Sequence, residues 1–481
     1  MSEFPASKLP IYHDSIDWKQ LHRDYPVPDV YAETIYKWPT ERVRELQNER
    51  FLKTVALGWK NPFYIKRWQA AGLEPGDIKS IDDSHKIPTY NSDDVKHDQL
   101  ANPPFGTLHD LDHARRAGAP LKMQTSGGTT GKPRVTLSWP QEWELNGLTA
   151  ARACYILGAR PGDVMQIPVT LALGNLGWCI YKAAHDYLGV LPLTTGTGVV
   201  TPSRRQMEIA FDYGTNLWCS FPEYMMRLAQ VSHEELGREF SELGTKFILS
   251  FLGPDTEGKL RAEMEQKLGC LVYDTYGTNE MGCGAVECTQ KKGLHFSEDC
   301  MYFEIEDTET GEPMPHGESG NLVVTVFHRT LPPIIRFNLR DLGRIIHTDT
   351  CDCGSSFRRM DHFLGRSDDM VKIRGVNLNP MACLNSVQSD ERTTGEWVCF
   401  VDSVEKGGVK RDEMTVQVEI RNEAGSAEGL RDRMEELLKG DLGLGVTVEI
   451  VPQGSLDEIA NVGGREGKPK RLVDRRPAYQ K

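Results

Sequence analysis

The stretch 245-TKFILSFLGPDTEGKLRAEMEQKLGCLVYDTYG-277 decides the fold, because it contains a complete strand–helix–strand unit. The apolar run FILSFL predicts a buried strand, and Asp255 or Thr256 can cap the helix that follows. Gly269 can end that helix, and a second apolar run begins directly after it. One face of the helix is apolar and consists of Leu260, Met264 and Leu268. This stretch therefore predicts a β-α-β unit, the building block of an α/β domain.

The same alternation of short apolar runs with amphipathic stretches starts at about Leu121. Residues 40–72 have the apolar spacing of helices, and residues 301–327 have the polar, Gly-containing turns of β hairpins. Beyond Gly365, two strand patterns, a helix pattern and a further strand pattern predict a compact α+β domain.

A chain of 481 residues is long enough for more than one hydrophobic core. We therefore expect an α/β protein with two domains. Residues 1–366 would form a large N-terminal domain of α/β layers plus β hairpins, with residues 1–35 as an extension of unknown order. Residues 367–481 would form the small α+β C-terminal domain.

Composition argues against several classes of function. The 56 basic and 69 acidic residues give a formal net charge of -13, which opposes unspecific attraction to nucleic acid or anionic lipid. No apolar run approaches the roughly 18 residues of a membrane span, and the N-terminus lacks a signal-peptide pattern. The 11 cysteines, an odd number, favour buried, metal-bound or reactive thiols over a disulfide framework. We expect a cytoplasmic protein with no nucleic-acid and no membrane partner.

The stretch 125-TSGGTTGKPR-134 has the composition of a phosphate-binding loop. It does not fit the Walker A pattern, because Ser126 stands in place of the first Gly and Pro133 follows Lys132. It also lacks the G-x-G-x-x-G of a dinucleotide site. From the residues alone, a loop that wraps phosphates with amides, hydroxyls and one cation and a plain surface turn both remain open.

Other parts of the chain favour the phosphate loop, because TSGGTTGKPR resembles that of the adenylate-forming (ANL) superfamily. Three further stretches resemble motifs of this superfamily in the same order: 273-YDTYGTNEMG-282, 336-RFNLRDLGRI-345 and 365-GRSDDMVKIRGVNLNP-380. The last, together with 467-GKPKRLVDRR-476, is typical of the phenylacetate–CoA ligase branch. The resemblance extends over about residues 40–476. It implies a large AMP-binding domain and a small, mobile C-terminal AMP-ligase domain.

The resemblance also implies a reaction. A carboxylic acid with a pKa of about 4 is ionised at pH 7 and is a poor electrophile, so it must be activated. Attack of the carboxylate on the α-phosphate of ATP gives an acyl adenylate and pyrophosphate, and the thiol of CoA then displaces AMP. We expect an aryl acid–CoA ligase acting on a phenylacetate- or benzoate-like acid. The alternatives are an adenylating enzyme that passes the acyl group to a carrier protein or an amine, and a non-enzymatic ATP- or metal-binding protein.

The resemblance assigns nucleotide contacts to the large domain. The ATP phosphates would be held by the loop residues Ser126, Gly127, Thr129, Thr130 and Lys132. Glu280 would bind Mg²⁺, a hard cation that prefers carboxylate oxygens. Asp341 would accept both ribose hydroxyls. The backbone around Gly253 and the side chain of Tyr276 would flank adenine, and Asp274, Gly277 and Thr278 belong to the same nucleotide-binding motif.

Further residues would act in and around the small domain. Arg366 would reach the ribose or a phosphate, and the small domain would rotate about Asp368. That rotation would open a pantetheine tunnel near Gly375. Lys468 would stabilise the adenylation transition state, although the sequence leaves Lys470 open as the alternative.

The cysteines contain a candidate metal set. Cys351 and Cys353 form a tight C-x-C-G turn, and Cys288 and His295 offer another thiolate and an imidazole, which together make a closed Cys₃His zinc set. Spacing alone does not decide between a zinc site and four unrelated residues, whereas the resemblance favours a structural zinc. Two other residues, Cys283 and Cys300, are possible substitutes as ligands.

The acid pocket is expected from the resemblance around residues 169–189, 194–198 and 218–224. These segments are rich in Gly, Leu and Trp, which suits a flat apolar acid. Trp178 and Trp218 are equally consistent with a plain core position. A homodimer is the default expectation for the oligomeric state.

Overall fold

The computed structural model describes residues 9–111, 118, 120–126, 134–368, 371–373, 376–406, 409–424, 426–460 and 470–476. By its internal contacts the chain divides into unit 1, Met1–Phe363, and unit 2, Leu364–Lys481. The domain boundary expected after Arg366 stays a prediction. Within the described residues, no helix has both the length and the apolar character needed to cross a membrane.

Helices and strands alternate between Pro140 and Thr278, in the part of unit 1 where the sequence predicts it. The α-helices in its described residues are Trp18–Asp24 (α1), Pro28–Glu33 (α2), Thr40–Gly58 (α3), Pro62–Ala70 (α4), Ser92–Ala101 (α5), Pro140–Ile156 (α6), Leu176–Lys182 (α7), Ser203–Tyr213 (α8), Pro222–Leu236 (α9) and Lys259–Leu268 (α10). The strands are Lys122–Thr125 (β1), Val135–Ser138 (β2), Val164–Gln166 (β3), Leu191–Leu193 (β4), Leu217–Ser220 (β5), Phe247–Ser250 (β6), Leu271–Thr278 (β7), Gly282–Glu287 (β8), Leu294–Phe296 (β9), Met301–Glu306 (β10), Ser319–Val326 (β11), Ile334–His347 (β12) and Arg359–Met360 (β13). α3 and α4 occupy the stretch predicted to be helical before Gly72.

The main sheet of unit 1 changes from parallel to antiparallel at β7. On one side of it, the strand order β4-β3-β5-β6-β7 is parallel throughout. On the other side the order β7-β8-β9-β13-β12-β11-β10 is antiparallel, and β10 and β11 form the predicted hairpin. β1 and β2 form a separate antiparallel hairpin. The motif 273–282 therefore lies where the two kinds of pairing meet.

Both faces of the parallel strands are buried. Neighbouring residues of one strand alternate between two apolar clusters, so that Leu217 belongs to one and Trp218 to the other. Leu249 and Ile248 divide in the same way. Burial on both faces explains why these strands are continuous apolar runs in the sequence.

The predicted β-α-β unit is confirmed as β6, α10 and β7. The helix has Gly258 at its N-cap position, not either of the two predicted residues. Asp255 still contributes from three positions earlier, because its carboxylate accepts the backbone N–H groups of Leu260 and Arg261 at 3.0 and 2.9 Å. Gly269 ends the helix with a φ of +66°, in the left-handed region that favours glycine. The predicted apolar face is also present, since Met264 and Leu268 are fully buried.

The N-terminal extension forms α1 and α2 in its described part and packs on α6. The hydroxyl of Tyr12 donates to Glu144 at 2.5 Å. Arg152 donates from Nε and Nη2 to the carbonyl of Pro26 at 2.9 and 2.7 Å, and its guanidinium lies 4.2 Å from the ring centroid of Tyr31. Residues 12–31 are thus attached to the α/β layers by partly buried polar contacts.

Unit 2 has its own sheet and core. Its described elements are Gly365–Arg366 (β14), Val371–Ile373 (β15), Val376–Leu378 (β16), Cys383–Gln388 (α11), Thr393–Lys406 (β17), Val409–Ile420 (β18), Leu430–Leu442 (α12), Thr447–Pro452 (β19), Asp457–Ala460 (α13) and Leu472–Asp474 (β20). The strand order is β19-β18-β17-β20, with β17 and β18 antiparallel and both outer pairs parallel. Trp397 and Met434 are fully buried between this sheet and α12. The predicted strand–strand–helix–strand order is confirmed, and the three-residue β20 is an addition.

Candidate functional site

The motif 273–282 forms the end of β7 and the turn into β8. A glycine is required at Gly277, because a Cβ there would lie 2.3 Å from the carbonyl oxygen of Gly282. The two strands therefore approach each other more closely than any side chain at this position would allow. This close approach fixes the direction of the polar residues that precede and follow the glycine.

The turn is tied to the predicted phosphate loop. Asn279 donates from Nδ2 to the carbonyl of Thr125, the last residue of β1, at 2.8 Å. The N–H of Ser126 donates to the carbonyl of Arg134 at 3.0 Å and closes the base of the loop. The remaining predicted phosphate contacts lie outside the described residues: Gly127, Thr129, Thr130 and Lys132.

Glu280 is a buried carboxylate with a counter-charge. Its side chain is 4% exposed and forms an ion pair with Arg134, which is 9% exposed. Burial disfavours the carboxylate anion, but the charge and hydrogen bond of Arg134, with a further bond to Thr278, outweigh it and lower the pKa of Glu280. The guanidinium also lies 5.3 Å from the ring centroid of Phe337. Glu280 is therefore ionised at neutral pH, and its partner Arg134 is the last residue of the 125–134 stretch.

Asp341 is reached from β7 by Tyr276. The phenol donates to Oδ2 of Asp341 at 2.6 Å, and both side chains are buried. The ring of Tyr276 stacks on Phe363, with centroids 6.4 Å apart and planes inclined by 17°. The two residues that the sequence assigned to adenine and ribose are thus in direct contact.

Asp274 holds the loop that follows β6. One carboxylate oxygen accepts the N–H of Leu252 at 2.9 Å, next to Gly253, whose φ is +67°. The other oxygen lies 2.6 Å from Nδ1 of His362. Burial disfavours the imidazolium, but the hydrogen bond and charge of Asp274 outweigh it and raise the pKa of His362. We refer to Asp274, Glu280 and Asp341 together as the carboxylate site.

Two predicted residues of unit 2 contact each other. Arg366 donates from Nε and Nη2 to the two carboxylate oxygens of Asp368, at 2.7 and 2.8 Å. This paired geometry fixes the guanidinium and the carboxylate in one plane. The ribose contact and the hinge predicted from the sequence are therefore joined by an ion pair.

The described residues include one of the two candidate lysines, Lys470. Lys468 and Gly375 lie outside the described residues. Lys470 is exposed, and its backbone N–H donates to the carbonyl of Ala460 at 2.8 Å.

Two of the three predicted acid-pocket segments, 194–198 and 218–224, meet around one glutamine. Gln206 is fully buried, accepts the hydroxyl of Thr195 at 3.1 Å and donates to the carbonyl of Gly196 at 3.0 Å. It also contacts the hydroxyl of Tyr224 at 3.0 Å. Gln206 thus holds the segment 194–198 against the start of α9.

The two tryptophans proposed for the pocket lie in different environments. Trp218 is fully buried, and its ring centroid lies 5.3 Å from that of Phe240, which makes it a core residue. Trp178 is half-buried and donates from its indole N–H to the carbonyl of Ala172 at 2.8 Å. The ammonium of Lys122 lies 4.8 Å from the Trp178 ring centroid. Trp178 therefore has a face that the core does not occupy.

The four predicted metal ligands converge. Donor atoms of Cys288, His295, Cys351 and Cys353 all lie within 4.8 Å of one another. Cys288 follows β8 and His295 lies in β9, while a turn with Gly354 at a φ of +91° presents the other two thiols. We refer to these four residues as the Cys/His cluster.

The spacing of the cluster can be compared with that of a bound ion. In a tetrahedral zinc site, bonds of about 2.3 Å to sulfur and 2.0–2.1 Å to nitrogen place two sulfurs ~3.8 Å apart and a sulfur and a nitrogen ~3.5 Å apart. Sγ of Cys288 and Sγ of Cys351 are 3.8 Å apart, and Sγ of Cys353 is 3.5 Å from Nε2 of His295. The donor set and these two distances fit a tetrahedral soft-metal site.

The two substitute ligands do not belong to this cluster. Sγ of Cys283 lies 3.7 Å from the hydroxyl of Thr275, and burial raises the pKa of Cys283 to about 11. Cys300 contacts Arg152 at 3.6 Å, and burial raises its pKa as well. Both are core thiols.

Three residues near these sites were not predicted from the sequence: Arg134 beside Glu280, His362 beside Asp274, and Tyr36, whose hydroxyl lies 3.2 Å from Sγ of Cys353. Arg134 was visible at the end of the loop motif, but it is 146 positions away from Glu280. No sequence motif marked His362 or Tyr36, because each contacts a residue that is far away in the sequence.

Comparison with known proteins finds two families along the chain. Residues 66–326 match the AMP-binding enzyme family, and residues 375–476 match the AMP-binding enzyme C-terminal domain. The phenylacetate-coenzyme A ligase of Aromatoleum evansii is 32% identical over 457 residues, which cover 92% of this chain and 97% of that protein. The enzyme of the same name from Thermus thermophilus is 28% identical and is covered completely.

Solved structures resemble this fold over most of its length. A structure of 2-hydroxyisobutyryl-CoA ligase in complex with 2-HIB-AMP, in the postadenylation state, is 24% identical, with a TM-score of 0.78 and 92% coverage of both chains. The same ligase with 2-HIB-AMP and CoA is 25% identical, with a TM-score of 0.64. The α/β fold class and the presence of a C-terminal domain agree with the sequence prediction.

Proposed function

The chain belongs to the AMP-binding enzyme family, and from this premise we propose that it joins a small carboxylic acid to coenzyme A with ATP. The acid's carboxylate oxygen would attack the α-phosphorus of ATP, which forms an acyl adenylate and releases pyrophosphate. The thiol of CoA would then attack the acyl carbon, which forms the thioester and releases AMP. Full-length similarity to relatives named phenylacetate-coenzyme A ligase supports both half-reactions.

The observation that carries this proposal is the carboxylate site, whose acids lie in β7 (Asp274), in the turn after β7 (Glu280) and in β12, bonded to Tyr276 of β7 (Asp341). All three carboxylates are buried, and each is held by a defined partner. A buried carboxylate that is hydrogen-bonded in place can meet a ligand with little reorganisation. This arrangement suits a nucleotide that brings hydroxyls, an amine and a metal-bound phosphate.

Each nucleotide contact follows from the chemistry of its residue. Asp341 would accept the ribose hydroxyls, and Tyr276 would lie against adenine beside the Gly253 loop. Asp274 would keep that loop in place through Leu252. Gly277 and Thr278 would shape the turn in which these groups meet, since a larger residue at 277 would separate β7 from β8.

Magnesium would be held by Glu280, which is ionised and offers the hard oxygen donor that this ion prefers. The ion would compensate the charge of the ATP phosphates. Around it, the loop containing Ser126, Gly127, Thr129, Thr130 and Lys132 would bind the β and γ phosphates with amides, hydroxyls and an ammonium.

The small domain and the segment that leads into it would supply the mobile charges. Lys468 would stabilise the negative charge that accumulates in adenylation, with Lys470 as the alternative. Arg366 would contact the ribose or a phosphate, and rotation about Asp368 would exchange the lysine for the CoA tunnel near Gly375. The Arg366–Asp368 ion pair supports a direct link between nucleotide contact and hinge.

We propose an aromatic acid of the phenylacetate or benzoate type as the substrate. The half-buried face of Trp178 and the Gln206-held segment 194–198 support a flat apolar pocket. A homodimer and an acyl carrier protein as an alternative acceptor stay predictions.

We also propose a structural zinc ion in the Cys/His cluster. The distances between its donors, and the mixture of thiols with one imidazole, support a closed four-coordinate site. Four protein ligands leave no position for a substrate, so such an ion would hold β8, β9 and the 351–354 turn together.

The experiment that tests the reaction measures pyrophosphate release with ATP, magnesium and a panel of aromatic and aliphatic acids, with and without CoA. The proposal expects release with aryl acids, and a thioester only when CoA is present. Adenylate that accumulates equally with and without CoA would favour the carrier or amine acceptor. An absence of release with every acid would refute the proposal and favour a binding protein.

A further inference from the structure

Tyr36 connects the N-terminal segment to the Cys/His cluster. Its hydroxyl lies 3.2 Å from Sγ of Cys353, within the range of a hydrogen bond to sulfur. A thiolate has no proton and can only accept, so in the metal-bound form the phenol must be the donor. The contact therefore has a defined direction.

The side chain of Tyr36 is also packed on a second ligand. It is 6% exposed, and its ring centroid lies 5.9 Å from that of His295 and 6.0 Å from that of Phe357. Nδ1 of His295 is buried and has no hydrogen-bond partner within the described residues. The orientation of this imidazole therefore depends on packing, to which the Tyr36 ring contributes.

The segment that carries Tyr36 is anchored on both sides. The carbonyl of Pro26 accepts two hydrogen bonds from Arg152, and the carbonyl of Trp38 accepts one from the hydroxyl of Ser356. Ser356 lies three residues after Cys353. Residues 26–38 thus cover the turn that presents two of the cluster's thiols.

We propose that Tyr36 is a positioning residue of the Cys/His cluster, whose hydroxyl donates to the Cys353 thiolate and couples metal binding to docking of residues 26–38. This inference rests on the zinc ion of the proposed function. Three thiolates around Zn²⁺ leave a net negative charge, and a hydrogen bond from outside the ligand set stabilises it. By linkage, an ion that binds the docked form more tightly must also favour docking.

The test uses zinc-loaded full-length protein and the variants Tyr36→Phe and Tyr31→Phe. Tyr31 belongs to the same buried apolar cluster, so its phenylalanine variant controls for loss of a phenol there. Zinc transfer to a chromogenic chelator reports the metal affinity. We expect a loss of roughly 10-fold or more for Tyr36→Phe, the scale of other contacts to metal ligands, and no change for Tyr31→Phe.

Hydrogen exchange of residues 26–38 provides the second readout. We expect hydrogen exchange of these residues in the wild type to become faster when zinc is removed. In Tyr36→Phe, the difference in exchange between zinc-loaded and zinc-free protein should be smaller. Equal zinc transfer from wild type and Tyr36→Phe would overturn the inference. Zinc transfer that is increased as much in Tyr31→Phe as in Tyr36→Phe would also overturn it, because the effect would then belong to packing. Wild-type protein that binds no zinc would refute the zinc proposal itself, and this is seen before any variant is compared.

Discussion

The carboxylate site and the Cys/His cluster differ in how their charges are balanced. At the carboxylate site each acid has a protein partner from another segment: Arg134 for Glu280, Tyr276 for Asp341 and His362 for Asp274. In the cluster, the four donor atoms lie within 4.8 Å of one another, and the Cys288–Cys351 and Cys353–His295 pairs have the spacing of a tetrahedral site. The first arrangement suits exchange of partners when a ligand arrives, whereas the second suits permanent occupancy by a cation.

The largest expected effect on stability is that of replacing Arg134. Replacement by methionine leaves Glu280 as a buried carboxylate without its cation, and loss of one member of a buried ion pair costs about 3–5 kcal/mol. Urea denaturation of Arg134→Met should show this decrease in the free energy of unfolding. A decrease below about 1 kcal/mol would mean that the acid does not depend on an internal counter-charge.

The next effect concerns the mobile charge. Lys468→Ala should reduce acid-dependent ATP–pyrophosphate exchange about 10²–10³-fold, because a preorganised charge at the reacting phosphate is removed. Lys470→Ala is the matched control and should change the exchange only a few-fold. The reverse result would assign the catalytic role to Lys470.

Removal of a cluster thiol should act on stability and leave the carboxylate site intact. Cys351→Ser should bring the zinc content well below one ion per chain and lower the free energy of unfolding by about 3 kcal/mol, the contribution of a ligand at 100 times its Kd. Elemental analysis and urea denaturation measure these two quantities. Full zinc retention in the variant would contradict a four-ligand site.

The smallest expected effect is a dependence on pH at the Asp274–His362 pair. The folded pKa of His362 is raised, so the stabilisation is fully present below the unfolded pKa of about 6.5 and is lost as the pH rises through the folded pKa. Between about pH 6 and pH 9, the difference in unfolding free energy between wild type and His362→Gln should fall by on the order of 1 kcal/mol. A difference that grows with pH would contradict a charged imidazole.

The sequence predicts much of this molecule where the signal is local. Apolar runs, Gly269 and the carboxylate of Asp255 determine a β-α-β unit within about thirty positions, so periodicity is enough to place it. The C-x-C-G turn marks two ligands of the Cys/His cluster, but spacing alone did not decide between a metal set and four unrelated residues, and the family resemblance favoured the metal.

Groups that act across the fold had no such signal. Tyr36 lies 317 positions before Cys353, and His362 lies 88 positions after Asp274. Their roles depend on how strands and turns pack, which no single stretch of sequence specifies. Trp218 is the opposite case, a residue with a local signal that did not decide its role. A tryptophan at this position suited a pocket as well as the core, and the structure places it in the core.

The oxygen atoms of the acid report directly on whether an acyl adenylate forms. If a carboxylate oxygen attacks the α-phosphorus and CoA later attacks the acyl carbon, the bridging oxygen must leave with AMP. Incubation of the wild-type protein with ¹⁸O-carboxylate phenylacetate, or another accepted aryl acid, ATP, magnesium and CoA should therefore give AMP that contains one ¹⁸O atom. AMP without the label, or label found in inorganic phosphate, would contradict activation through an acyl adenylate.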